Sequence, residues 1–117
     1  MIQPKRGEVY LVNFDPVIGA EIRKTRPALV LQNDIANRHS PVTIVAAITS
    51  HFEDSLYPTE VLLANGEGGS RKDSVILLNQ IRTIDKRRIV RRLGAVHGET
   101  MRRVDRALQI SLGLIKI

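Results

Sequence analysis

Hydrophobic positions along the chain fall mostly into short runs rather than long helical stripes. EVYLVNF (8–14) sets Val9, Leu11 and Asn13 against Tyr10, Val12 and Phe14 and stops at Asp15-Pro16, the pattern of a strand closed by a turn. PALVLQ (27–32) and VTIVAAIT (42–49) are continuous apolar runs rich in β-branched or small residues, and they predict well-buried strands. DIANRHS (34–40) between them supports at most one helical turn. TEVLLA (59–64) and SVILLNQIRTI (74–84) flank NGEGGSRKD, whose three glycines predict a wide hairpin connection. A short strand is expected near Leu93–Val96.

The period changes in ETMRRVDRALQISLGLIKI (99–117). Met101, Val104, Leu108 and Ile115 share one stripe, with Ala107 and Leu114 beside it and Arg102, Arg106 and Gln109 facing away. That spacing predicts an amphipathic C-terminal helix whose end is weakened by Gly113. Closely spaced strands followed by a closing helix predict a mainly β (α+β) fold, a small barrel or half-barrel of antiparallel strands with the helix across it. One domain over 1–117 is expected, since a chain of this length buries roughly two-thirds of its unfolded surface. Ile110, Leu112 and Ile117 lie off the stripe, a surplus of apolar surface that suggests a second copy of the chain.

Composition narrows the classes. There is no cysteine, which excludes a disulfide scaffold, a thiolate metal site and a thiol nucleophile. No apolar run approaches the roughly 18 residues of a membrane helix, and MIQPKRGEVYLV lacks the apolar core of a signal peptide. A cytoplasmic protein with no membrane partner is the expectation. The net charge of +6 is uneven: residues 82–106 carry nine Lys/Arg against three Asp/Glu, and the remainder balances. Thirteen of the 18 basic residues are arginine, whose planar fork suits phosphate. Such a surface fits nucleic acid, and equally a solvated helix face or an acidic protein partner.

Motifs for cofactors are missing. No His or carboxylate spacing matches a metal site, so no metal and no cofactor are expected. GEGGSRK lacks the Walker spacing and precedes a strand, which leaves it an ordinary loop. Ser50 and His51 are adjacent on a strand and point to opposite faces, which argues against a hydrolase triad with Asp54. Two features remain. Arg23, Lys24 and Arg26 crowd four positions, and Pro27 biases Arg26 toward an extended conformation at a strand end. If the strand from Val42 continues regularly, Thr49 and His51 emerge on one face at its end. From the residues alone, the Arg-Pro step could simply open an edge strand and Thr49 could be only a β-former.

The ordered blocks carry more. Gly7-Glu8-Val9-Tyr10, Asp15-Pro16, Gly19-x-Glu21, Arg26-Pro27 and Val30-Leu31-Gln32-Asn33-Asp34 come first, followed by Ile44 to Thr49 and Asp73 to Lys86. Together they resemble the MazF/PemK family of bacterial toxins across essentially the whole chain. The resemblance implies an SH3-like barrel and a metal-independent, sequence-specific endoribonuclease acting on single-stranded mRNA. It also implies a homodimer neutralised by a cognate antitoxin, which is expected to offer an acidic segment. A CcdB-like toxin, which poisons a protein target such as DNA gyrase without cleaving RNA, is the alternative.

The resemblance assigns roles residue by residue. Arg26 matches the catalytic arginine and Thr49 the catalytic threonine. The expected reaction is attack of a ribose 2′-hydroxyl on the adjacent phosphorus, leaving a 2′,3′-cyclic or 3′-phosphate and a 5′-hydroxyl. Charge gathering on the nonbridging oxygens calls for fixed donors, and a guanidinium with a hydroxyl supplies them. RNA-binding candidates are Gly19, Glu21, Arg23 and Lys24 in the loop ahead of Arg26, together with Ser50, His51 and Arg82. Asn33, Asn79 and Gln80 can read base edges, and they can equally cap turns. Tyr57 and Phe52 could stack one or two bases or lie in the core. Arginines beyond the family pattern, at 87, 88, 91, 92, 102, 103 and 106, point to RNA or to the antitoxin. His51, also outside that pattern, could assist proton transfer but is expected to be a bystander.

Overall fold

Each apolar run identified above becomes a strand in the computed structural model, which describes residues 2–16, 19–20 and 24–117. The strands are β1 (Glu8–Asn13), β2 (Thr25–Val30), β3 (Val42–Thr49), β4 (Glu60–Leu63), β5 (Ser74–Asp85) and β6 (Ile89–Ala95). The helices are the short α1 (Asp34–His39) and the C-terminal α2 (Gly98–Ser111). All strand pairs are antiparallel, in the order β4-β5-β3-β2-β1-β6.

Alternation sends successive side chains to two buried clusters on opposite faces of this sheet. Val9, Leu29, Ala46, Ile48, Leu63 and Ile76 pack under α2, which contributes Val104 and Ala107. Tyr10, Val12, Phe14, Ala28, Val30, Val45 and Ala47 face the other way and meet Ile84 and Ile89, from either side of the β5–β6 turn. Both faces are apolar because the sheet coils. β5 bends where Leu78, Asn79 and Gln80 intervene, the partner of β3 jumping from Ile81 opposite Ala46 to Leu77 opposite Ala47. Extra residues of this kind locally bend a strand and increase its twist.

The mainly β sheet with a C-terminal helix is the fold expected, and the sheet stops short of a closed barrel. β4 and β6 remain its two edges, and the β4–β5 loop fills the gap between them by backbone contact. A Cβ added at Gly69 would lie 2.2 Å from the Leu93 carbonyl oxygen, and Gly69 has φ +77°, so glycine is required there on both counts. Glu67 of the same loop reaches the start of α2. Its Oε2 accepts from the His97 N–H at 2.9 Å, supplying the cap that the His97 side chain does not.

Three local expectations need revision. β6 begins at Ile89, well before Leu93, because its arginine-rich first half hides the alternation and two register shifts against β1 break the period. α2 ends at Ser111, ahead of Gly113 with φ +73°, so Leu114 and Ile115 lie beyond the helical stripe. Pro27 stands in an inner strand between β3 and β1 rather than opening an edge. The β2–β3 ladder starts at Ala28, so no bond is demanded of its missing N–H.

Burial pushes the Glu67 carboxyl upward, but bonds from the Thr100 hydroxyl and the His97 N–H outweigh it and hold the group below its ordinary 4.5. A carboxylate depressed in the fold stabilises above its unfolded value, and that contribution is lost as pH falls through the lowered one. Stability is therefore expected to decline on acidification below about pH 4.5. Glu67→Gln should be less stable than the parent at pH 7 and show a shallower acid decline, as thermal unfolding at stepped pH will measure. Parallel curves for the two proteins would remove Glu67 from the account.

Candidate active site

Pro27 decides where the site opens. The β2–β3 register pairs Ala28 with Ala47, Leu29 with Ala46 and Val30 with Val45. Continued two positions past Ala28, it sets Arg26 across from Thr49. Alternation from Ala28 and Ala47 directs both side chains to the same face of the sheet, where directly opposed Cβ atoms lie about 5 Å apart. Both residues are half-buried, at the rim of a buried cluster. On the other side Arg26 pairs with Val12 of β1.

The Thr49 hydroxyl is oriented by the turn that follows it. Its Oγ1 accepts from the backbone N–H of His51 at 3.1 Å and sits 3.4 Å from the His51 carbonyl. One lone pair is thus occupied by a peptide donor, while the hydroxyl proton has only a long contact to the carbonyl and can be given to an incoming anion. β3 ends at Thr49, so His51 does not continue its alternation; the link between the two residues runs through backbone. Ser50 and the His51 side chain are exposed.

Arg26 is approached through the β1–β2 connection. Phe14 donates its N–H to the Lys24 carbonyl at 2.9 Å, and Lys24 N–H donates to Asp15 Oδ1 at 3.0 Å. Lys24 holds φ +64° and Gly19 φ +59°, both exposed. Glu21 and Arg23 lie outside the described residues. Arg82 projects across the same face from β5, donating Nη1 to the Phe14 carbonyl at 2.7 Å with its guanidinium 5.9 Å from the Phe14 ring centroid.

Other candidates separate into structural and exposed. Asn33 caps α1, its side-chain oxygen accepting the Ala36 N–H at 2.9 Å, with the length of β2 between it and Arg26. Asn79 is exposed and Gln80 half-buried, both inside the β5 bend. Tyr57 is 69% exposed and Phe52 37%, so neither belongs to the core.

The arginine-rich stretch is also divided. Arg92 binds Glu8 at 2.7 Å, and Arg87 binds Asp85 at 3.0 Å. Burial raises and the Arg92 and Tyr10 bonds lower the Glu8 carboxyl, with a net depression, while burial and Glu8 push the Tyr10 hydroxyl up to about 12. Arg91, Arg102 and Arg106 are exposed. The glycine loop expected to be a plain connection walls a cavity of about 250 Å³ with Ser70, Arg71 and Lys72, and Pro27 and Ser50 line it too. Its apolar floor, Val9, Ile48 and Leu63, belongs to the face opposite the Arg26–Thr49 pair. Contacts made across the fold, not local sequence, assemble this wall. Among the described residues, no cluster of three or more His, Asp or Glu could hold a metal ion.

Residues 5–112 match the model of a PemK-like, MazF-like toxin of type II toxin–antitoxin systems. The chain is 51% identical over 111 residues to endoribonuclease EndoA of Bacillus subtilis (strain 168), covering 95% of this chain and 96% of the relative. It is similar to the crystal structure of MazF from Deinococcus radiodurans, with a TM-score of 0.84, 29% identity, and 97% and 99% of the two chains covered. A MazE–MazF crystal structure from the same organism matches with a TM-score of 0.76 and 29% identity over 96% and 98%.

Unfolding in urea will sort the amides. Asn33→Ala, which removes a helix cap, should lower stability by about 1 kcal/mol, whereas Asn79→Ala at an exposed position should stay within about 0.5 kcal/mol. Equal losses would show that Asn79 also carries structure.

Proposed function

The chain belongs to the PemK-like, MazF-like toxin family of type II toxin–antitoxin systems, and we propose that it is a sequence-specific endoribonuclease cleaving single-stranded mRNA. The observation that carries this is the Arg26–Thr49 pair, set side by side on one face at the open end of β2 and β3. In the reaction, a ribose 2′-hydroxyl attacks the neighbouring phosphorus and the bond to the 5′-oxygen breaks. The products are a 2′,3′-cyclic phosphate, or the 3′-phosphate after hydrolysis, and a 5′-hydroxyl end. Arg26 donates to the nonbridging oxygens as they gain charge, and Thr49, its hydroxyl oriented by His51, supplies a second donor. Two preorganised donors stabilise that charge without a metal. A toxin that poisons a protein target has no use for a phosphate-stabilising pair at this place.

Around the pair, Lys24 and the exposed Ser50, His51 and Asn79 serve RNA binding, and Tyr57 offers a stacking surface. Gly19 and Gln80 belong to the same proposed surface, and Glu21 and Arg23, outside the described residues, are proposed RNA contacts. The protein acts in the cytoplasm; among the described residues no helix is long and apolar enough to cross a membrane. It works as a homodimer held by a cognate antitoxin. Leu112, Leu114 and Ile117, 59%, 69% and 85% exposed past the end of α2, provide apolar surface for a second copy. The antitoxin lays an acidic segment over the basic surface and blocks Arg26.

Arg26→Ala should lower cleavage by at least ~100-fold while remaining folded, and Thr49→Ala by less. Cleavage by the parent protein should persist in excess EDTA and leave 5′-hydroxyl ends, mapped by end-labelling of a long RNA. Full activity in folded Arg26→Ala would refute the site, and activity lost to EDTA and restored by magnesium would refute the mechanism.

A further inference from the structure

Two arginines of the basic stretch differ from their neighbours. Arg82 and Arg88 are half-buried, whereas Arg87, Arg91 and Arg92 are exposed. Their guanidinium groups reach three consecutive backbone carbonyls at the end of β1. Arg82 donates to the Phe14 carbonyl at 2.7 Å, and Arg88 donates Nη1 to Asn13 at 3.1 Å and to Asp15. These residues are separated by 68 and more positions in sequence, so the bonds tie the end of β5 and the β5–β6 turn to the place where the β1–β2 connection departs.

The same three residues hold the returning strand. Asn13 pairs with Thr25 and Val12 with Arg26, Phe14 binds the Lys24 carbonyl, and Asp15 accepts from Lys24. A short chain of contacts therefore runs from each arginine, through residues 13–15 and Lys24, to the backbone of Arg26. We propose that Arg82 and Arg88 are positioning residues for the cleavage step, fixing the place from which Arg26 reaches the scissile phosphate, rather than binding RNA themselves. The proposal rests on the cleavage role of Arg26. Its chemistry suits arginine: the guanidinium never loses its charge and its planar donors hold a carbonyl in a fixed direction, where a lysine has only a point charge on a freely rotating stem. A displacement of about 1 Å in a catalytic group can lower a rate by roughly 100-fold.

The test uses the full chain, a mapped RNA cleavage site, and a copy of that RNA with a 2′-deoxy sugar at the cut. Arg82→Gln and Arg88→Gln should each lower single-turnover cleavage by ~10-fold or more. Affinity for the uncleavable RNA should stay within twofold, and the slope of log Kd against log salt should not change. Loss of a direct phosphate contact would instead reduce that slope by about 0.7 for single-stranded RNA. In the Arg26→Ala background, either substitution should add little, because its effect acts through Arg26. Arg82→Lys and Arg88→Lys should recover only part of the rate. Arg88, on the more exposed bonds, carries the test if Arg82→Gln does not fold. A smaller salt slope with an unchanged rate at saturating RNA would overturn the proposal in favour of direct contact. Parent-like cleavage by both Gln variants would overturn it outright. Cleavage by Arg26→Ala equal to the parent's would instead fault the catalytic assignment.

Discussion

A proline in an inner strand is a vacancy in a hydrogen-bond ladder, and here the vacancy is placed at one end. Pro27 occupies β2 between two neighbours, yet the β2–β3 ladder starts at Ala28, so the missing N–H leaves no partner unsatisfied. The two strands are still held in register by the pairs from Ala28 to Val30. Beyond them Arg26 and Thr49 stand opposite each other without being part of the ladder. The candidate site thereby takes its spacing from the sheet, with Arg26 anchored on its far side by β1 and Thr49 by β5. β1 completes the arrangement, since Pro27 pairs with Leu11 and Arg26 with Val12 on that side.

What the chain is built from was largely legible in its pattern. β1, β3, β4 and β5 follow alternating or continuous apolar runs, and β3 begins and ends where VTIVAAIT does. β6 was half hidden because Arg87 to Arg92 carry no apolar period and two register shifts break what alternation remains. The long β5 concealed its bend for a related reason. Leu78, Asn79 and Gln80 look like a continuation of the strand, and only pairing with β3 reveals them as an interruption.

The site was legible in part. Arg26 and Thr49 are strand-end residues in the sequence, and the sheet register is what makes them neighbours. The duties of Arg82 and Arg88 could not be read from the chain, because their partners are backbone carbonyls, which any residue type presents. Net charge therefore overstated how much arginine is available to a ligand: Arg82 and Arg88 hold backbone and Arg92 holds Glu8. The glycine loop was underrated for the opposite reason. It has no phosphate-binding spacing, and its work is to seat against β6 and, through Glu67, to cap α2.

The seat of that loop has a consequence for how the sequence can drift. A Cβ on Gly69 would meet the Leu93 carbonyl, and one on Gly94 would lie 2.7 Å from the backbone of Gly68 and Gly69. Each glycine is thus confronted by main chain, which every residue carries. In an ordinary core contact, a larger side chain on one wall can be matched by a smaller one on the other. No such exchange exists here, since the opposing surface has no side chain to shrink. The two positions are locked singly rather than as a covarying pair, and the gap between the sheet's edges can be inherited only unchanged.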